Sequence, residues 1–181
     1  MTNLKNLSLQ KIIKPVNYGK HKREIGRYWA SDLYSIKGKY LNTANFFKEK
    51  VIDETGATNI FFGVALENEL TRKLKELNID IQPQFKKELK FGDITLVVKP
   101  DFGSDICIEC KCPVKPLENI PERYKYQLEA EYRATLKTTY LLSFQRPSFR
   151  MFKYEQSDER WLEIQELLTN FNNRLIKKYG K

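Results

Sequence analysis

The 181-residue sequence is poor in the side chains most often used for metal cages and covalent links: it holds one histidine, His21, and three cysteines. With no second histidine available, His21 is given no catalytic role. Cys107, Cys110 and Cys112 form an odd set crowded onto one stretch, which is a poor disulfide framework and fits a reducing compartment. Their Cys-x-x-Cys-x-Cys spacing resembles a metal or iron–sulfur motif. Strand alternation opposes that reading, because it turns Cys107 away from the other two and no fourth cysteine exists, so all three read as small buried hydrophobes. There is no unbroken apolar run of membrane-spanning length, and the polar start Met1-Thr2-Asn3-Leu4-Lys5-Asn6 lacks the apolar core of a signal peptide. The expectation is an intracellular, cytoplasmic protein with no membrane partner. Repeats, low-complexity tracts and linkers are also missing, so residues 1–181 read as one domain.

Positive charge is plentiful. Lysine and arginine number 32 against 23 acids, a net charge of +9. Such an excess suits a polyanion, usually nucleic acid, because cations placed at phosphates release condensed counterions; a generally basic proteome gives the same number with no partner. The densest basic run is in residues 1–30, where Lys11, Lys14, Lys20, His21, Lys22, Arg23 and Arg27 are interleaved with Tyr18, Tyr28 and Trp29. Aromatics among cations can track a phosphate backbone and stack on bases. Lys20, Lys22, Arg23 and Arg27 are therefore candidate nucleic-acid contacts, and the alternative is that residues 1–29 form a solvated, partly flexible arm.

The 41% hydrophobic fraction supports a globular fold. Ser31 is a plausible cap for a helix through Asp32-Leu33-Tyr34, a second helical run covers Asn42–Val51, and Asp53-Glu54-Thr55-Gly56 breaks it. A third helix is expected from about Ile60 to Leu77. Its stripe of Leu66, Leu70, Leu74 and Leu77 spans only about 80° at about 100° per residue. Glu67 lies about 20° beyond one edge and leans toward the core, whereas Glu69 falls about 60° beyond the other, with Lys73 at i+4 as an ordinary solvated partner. Strands follow at about Ile81–Leu89, Ile94–Lys99 and Ile106–Cys112, and Thr95-Leu96-Val97-Val98 has the continuous apolar character of a strand buried on both faces. A helix from about Pro121 to Lys137 carries the stripe Tyr124, Leu128, Tyr132 and Leu136, with Gln127 and Glu131 side by side along its edge. Two short strands, Thr139–Phe144 and Met151–Tyr154, precede a last helix capped by Ser157, in which Trp161, Ile164, Leu168, Phe171 and Leu175 are spaced to pack on the sheet.

The most informative stretch is Lys99 to Pro113, Lys-Pro-Asp-Phe-Gly-Ser-Asp-Ile-Cys-Ile-Glu-Cys-Lys-Cys-Pro. Alternation puts Cys107, Glu109 and Lys111 on one strand face and Ile106, Ile108, Cys110 and Cys112 on the other. The second face is expected to be the buried, apolar one. Charges inside a strand are costly unless they bind each other, a metal or a ligand. A hairpin through the Gly-Ser turn would bring Asp101 back to Glu109 and Lys111. Hard divalent cations take oxygen ligands, so the carboxylates of Asp101, Glu109 and Glu67, with the backbone carbonyl of Cys110, suit magnesium or manganese. Lys111 would then position a water or neutralise a phosphate. Each has a plainer alternative: a turn-starting aspartate, a cross-strand ion pair, a half-exposed helix acid. Asp105 reads as a turn residue.

Pro100-Asp101 followed by Glu109-Cys110-Lys111 resembles the signature of the PD-(D/E)XK nuclease superfamily, and the order of elements is similar to that superfamily's. Ala30-Ser31-Asp32-Leu33, Gly63-Val64-Ala65-Leu66-Glu67 and the helix bearing Gln127 look most like the RecB-like branch, which includes CRISPR-associated exonucleases. The likeness covers about residues 30 to 145. It departs from the branch at Glu67, where histidine is usual, and at Glu131, which holds the place of a tyrosine. The resemblance implies an α/β (α+β), restriction-endonuclease-like core: a central mixed sheet of about five strands flanked by helices, with a helical N-terminal region. It further implies a metal-dependent DNA nuclease with Glu67, Asp101, Glu109, Lys111 and Gln127 in the site, Gln127 orienting the water or Lys111. The four cysteines that hold an iron–sulfur cluster in some relatives are missing, so no cluster is expected. Two alternatives stand beside it: a structure-specific endonuclease resembling the archaeal Holliday-junction resolvases, which would be a homodimer, and a silent DNA-binding protein that keeps the nuclease fold.

Overall fold

Two sheets share the core of the computed structural model, which describes residues 23–48, 54–145 and 148–180. The first, in the order β1-β4-β3, joins β1 (Arg27–Trp29) in parallel to β4 (Ile94–Val98), which pairs antiparallel with β3 (Lys87–Phe91). The second is mixed, in the order β2-β5-β6-β7-β8, formed by Gln82–Pro83, Phe102–Gly103, Ile106–Lys111, Thr138–Gln145 and Ser148–Lys153; only β6 and β7 run parallel. The described helices are α1 (Leu33–Lys37), α2 (Glu54–Glu76), α3 (Glu122–Thr135) and α4 (Asp158–Tyr179). This is the mixed α/β architecture with a five-stranded sheet, flanking helices and a helical N-terminal region that the sequence implies.

Burial explains the central strand. Leu96, Val97 and Val98 have no solvent exposure, as expected of β-branched and aliphatic residues covered on both faces. α4 supplies Ile164, Leu168, Phe171 and Leu175 to one core cluster, with Trp161 packed at its margin. Its start is fixed by Ser157, whose hydroxyl accepts the Arg160 N–H, one of the donors a helix leaves unpaired at its first turn.

Several expectations are corrected. Residues 23–29 are not part of an arm: Arg27–Trp29 is a strand, and Tyr28 is 1% exposed with its hydroxyl donating to Asn172 on α4 at 2.7 Å. Ala30–Asp32 forms a 3-10 turn and Ser31 caps nothing; α1 begins only at Leu33. The helix expected at Asn42–Val51 is a run of turns through residue 47, because Asn42 Oδ1 accepts the Ala44 and Asn45 amides and offers the backbone an alternative to helical bonds; residues 49–51 lie outside the described ones. Glu54-Thr55-Gly56 opens α2 instead of breaking a helix. On α3 the residues without exposure are Leu128, Glu129, Ala130 and Glu131, with Tyr126 at 1%, while Leu136 is the exposed left-handed cap at φ 56°. That helix touches β3, β4, β6, β7, α1 and α4, so it is covered on both flanks and a single-stripe reading does not describe it.

Candidate active site

β4 leaves the first sheet at Val98, and Lys99-Pro100-Asp101 carries the chain to β5 of the second. β5 pairs Phe102 with Ile108 and Gly103 with Cys107. Extended by one residue, that register sets Asp101 opposite Glu109. The tight return depends on Gly103, where a Cβ would lie 1.9 Å from the Phe85 ring. Asp101 Oδ2 accepts the Cys110 backbone N–H at 2.7 Å. Asp101 and the Glu109–Lys111 segment are thus joined, with Asp105 exposed in the intervening turn.

The faces of β6 are not divided as expected. Cys107 and Glu109, 0% and 3% exposed, are more deeply buried than Ile106 and Ile108, which are only half-buried. The charged face is the inner one because α3 packs over it. Lys111 Nζ bonds Glu109 Oε1, and Glu131 on α3 is fully buried in the same cluster. Gln127 donates to Glu131 Oε1 at 2.8 Å; its bond goes to that acid and not to Lys111. Glu131 therefore belongs to the interior of the cluster and not to a solvated helix edge.

Electrostatics reflect the crowding. Burial, then the charges of Glu109 and Glu67, push Asp101 up to about 8. Burial and then Glu109 hold Glu131 well above the usual carboxylate range. For Lys111, burial works to lower its pKa, and Glu109 and Asp101 override it and raise it. The Cys110 thiol is pushed up by burial and by the Asp101, Glu109 and Glu67 carboxylates, which leaves it a poor nucleophile. All three cysteines are free thiols.

Glu67 reaches the group from α2. It is half-buried, and its Oε2 accepts from Gln84 Nε2 at 2.9 Å. Glu69 is solvated as expected, although its partner is Arg72 at i+3, 2.6 Å away, and not Lys73. Arg27 pairs with Glu88, and Arg23 binds the Phe46 carbonyl at 2.9 Å and faces Asp32 at 3.4 Å. Those two guanidinium groups are thus engaged within the fold, while Lys20, Lys22 and His21 lie outside the described residues.

Among the described residues no group of three or more histidine, cysteine or acidic side chains has a ready metal-holding geometry. Two buried carboxylate oxygens, Glu109 Oε2 and Glu131 Oε2, have no hydrogen-bond partner. Buried polar oxygens left in that state are costly, and Glu109 Oε2, beside Asp101, is the one that a hard cation held by these acids would satisfy. A separate hollow lined by Asp80, Gln82, Phe85, Gly103, Ser104 and Lys137 lies at the opposite end of β6 from Lys111.

Two site features escape sequence reasoning. Gln84 stands between two strands with no periodicity to mark it, and Glu131 is recognisable as buried only once α3 is known to be covered on both sides. The nearest sequence signal for Glu131 is its i, i+4 spacing from Gln127.

No family model matches the chain, and no curated protein matches it by sequence. Among the solved structures that share its fold are SSO0001 and LHK-Exo. SSO0001 is 17% identical with a TM-score of 0.63, over 87% of this chain and 80% of that one. LHK-Exo, solved in complex with dAMP, is 17% identical with a TM-score of 0.57, over 85% of this chain and 90% of that one.

Proposed function

We propose that the chain is a metal-dependent DNA nuclease of the PD-(D/E)XK type, close to the RecB-like branch. The observation that carries this reading is the convergence of Asp101, Glu109 and Lys111 on one buried cluster with two unsatisfied carboxylate oxygens. The fold shared with LHK-Exo, a protein crystallised with a deoxynucleotide, supports it, and so does the net charge of +9.

Glu67, Asp101 and Glu109, with the Cys110 carbonyl, would hold magnesium or manganese. Such an ion neutralises phosphate charge and makes a bound water a stronger nucleophile near neutral pH. Lys111 is the one cation of the cluster that is partly open, its side chain 27% exposed. Paired with Glu109, it would orient the water or stabilise charge on the scissile group. Gln127 keeps Glu131 in place beneath it. The substrate is DNA: single-stranded, end-bearing or branched.

The test is a panel of labelled single strands, duplexes and four-way junctions, incubated with and without manganese. The expected result is manganese-dependent cleavage that falls at least about 100-fold in Lys111→Ala and Glu109→Gln. Lys111→Ala also lowers stability by roughly 1–3 kcal/mol, because Glu109 loses its counter-charge, and circular dichroism checks that the variant remains folded. Unchanged cleavage in both variants removes this site from the chemistry. One observation favours the silent DNA-binding reading: Lys111 already neutralises Glu109, and no ready metal group exists among the described residues. Salt-sensitive binding without cleavage of any substrate would be its outcome.

A further inference from the structure

Gln84 has a conformation that folding alone does not explain. It is exposed, in the turn between β2 and β3, where a polar side chain needs no partner. Yet its φ is 49°, a left-handed backbone that crowds any Cβ and is normally given to glycine. The other described non-glycine residues with positive φ are Lys39, Asn78 and Leu136. Each follows a helix, where a left-handed residue is an ordinary way to end it. Gln84 ends no helix. Strained backbone in such a place points to a local task.

Three hydrogen bonds converge on this residue. Its N–H donates to the Asp101 carbonyl at 2.8 Å, its Nε2 donates to Glu67 Oε2 at 2.9 Å, and its Oε1 accepts from Lys99 Nζ at 3.0 Å. The two acids it touches come from different parts of the fold, one on α2 and the other on the link between sheets. We propose that Gln84 is a positioning residue, which holds the Glu67 carboxylate in register with Asp101 through a Lys99–Gln84–Glu67 bridge. The consequence for metal binding rests on the nuclease reading; the positioning itself does not.

The chemistry of the amide suits this task. It offers a donor to the anion and an acceptor to the cation at once. A carboxylate at this position would repel Glu67, and an ammonium would cover the oxygens that a metal needs. The bond uses only Oε2, which leaves Oε1 for a cation. The need for such a tie follows from α2, none of whose residues from Gly56 onward is fully buried. Among the described residues that helix touches β6 but supplies none to the core clusters, so a polar tie helps to fix the place of Glu67. Outer-sphere partners of this kind typically change metal affinity about 10- to 100-fold when removed.

Gln84→Gly separates positioning from turn-making. Glycine keeps the N–H bond to Asp101 and tolerates φ 49°, so a residue that merely shaped the turn would be replaced without loss. The expected result is an unchanged or raised melting temperature, with faster amide hydrogen exchange through residues 63–74 of α2 in the metal-free protein. Manganese binding, followed by calorimetry, weakens about 10- to 100-fold. Wild-type exchange across α2 together with wild-type manganese affinity would overturn the proposal. If the wild-type protein takes up no manganese and cuts nothing, the nuclease reading fails. The exchange measurement still decides in that case: faster exchange in Gln84→Gly supports positioning and unchanged exchange overturns it.

Discussion

Asp101 Oδ2 accepts the Cys110 N–H at 2.7 Å, a bond that needs the oxygen of this acid but not its charge. The same carboxyl lies in a field that opposes its ionisation, with burial and then Glu109 and Glu67 pushing it up to about 8. Asp101→Asn keeps an acceptor for the amide and removes a crowded carboxyl. Its stability to urea is expected to equal or slightly exceed that of the wild type, while cleavage falls at least about 100-fold. Asp101→Ala leaves the Cys110 amide unpaired and costs roughly 1–3 kcal/mol. Wild-type cutting by Asp101→Asn would take Asp101 out of the chemistry, whatever its effect on folding.

The legible parts of this molecule are those decided by short-range pattern. β-branched and apolar runs mark β4, and Ser157 marks the start of α4, because alternation and capping act within a few residues. The link from Pro100-Asp101 to Glu109-Lys111 is legible because one hairpin register joins them. What the sequence hides is decided by cover from distant elements. Glu131 looks like a helix-edge acid until α3 is placed between the sheets and α4, and Tyr28 looks like part of a basic arm until Asn172 is brought to it from 144 residues away. Gln84 is hidden for another reason: it acts through a backbone conformation that its residue type disfavours, so local propensity argues against it.

Glu129 provides a control on α3 that is independent of the acids below Lys111. It has no solvent exposure and is saturated: Arg133 Nε donates to Oε1 at 2.7 Å, while Tyr154 OH and Ser157 N donate to Oε2 at 2.7 and 2.8 Å. One carboxylate thus ties α3 to the end of β8 and to the start of α4. Glu129→Ala removes the acceptor for three donors, and the expected loss is about 3–5 kcal/mol, as for breaking a buried ion pair. Glu129→Gln, which keeps an oxygen, is expected to lose less. Any cleavage by the fraction that remains folded should stay near the wild-type rate. A loss under about 1 kcal/mol in urea unfolding for Glu129→Ala would show that the network contributes little.

Alkaline unfolding tests whether β1 belongs to the core. Tyr28 is 1% exposed and bonded to Asn172; burial pushes its phenol up to about 12, opposed in part by the Gly26 N–H. In the unfolded chain a tyrosine loses its proton near about pH 10. Between those values the unfolded state binds fewer protons than the folded one, so stability must fall as pH rises. The contribution is fully present below about pH 10 and is lost progressively as pH rises through about 12, by up to roughly 2–3 kcal/mol. Tyr28→Phe loses the Asn172 bond, at a cost of about 1 kcal/mol near neutrality, but carries no phenol to titrate. The wild-type advantage over Tyr28→Phe in urea unfolding is therefore expected at pH 8 and should shrink and then reverse toward pH 12. Because the two proteins share every other titrating group, a difference that stays constant across that range would mean that Tyr28 is not held protonated in the core.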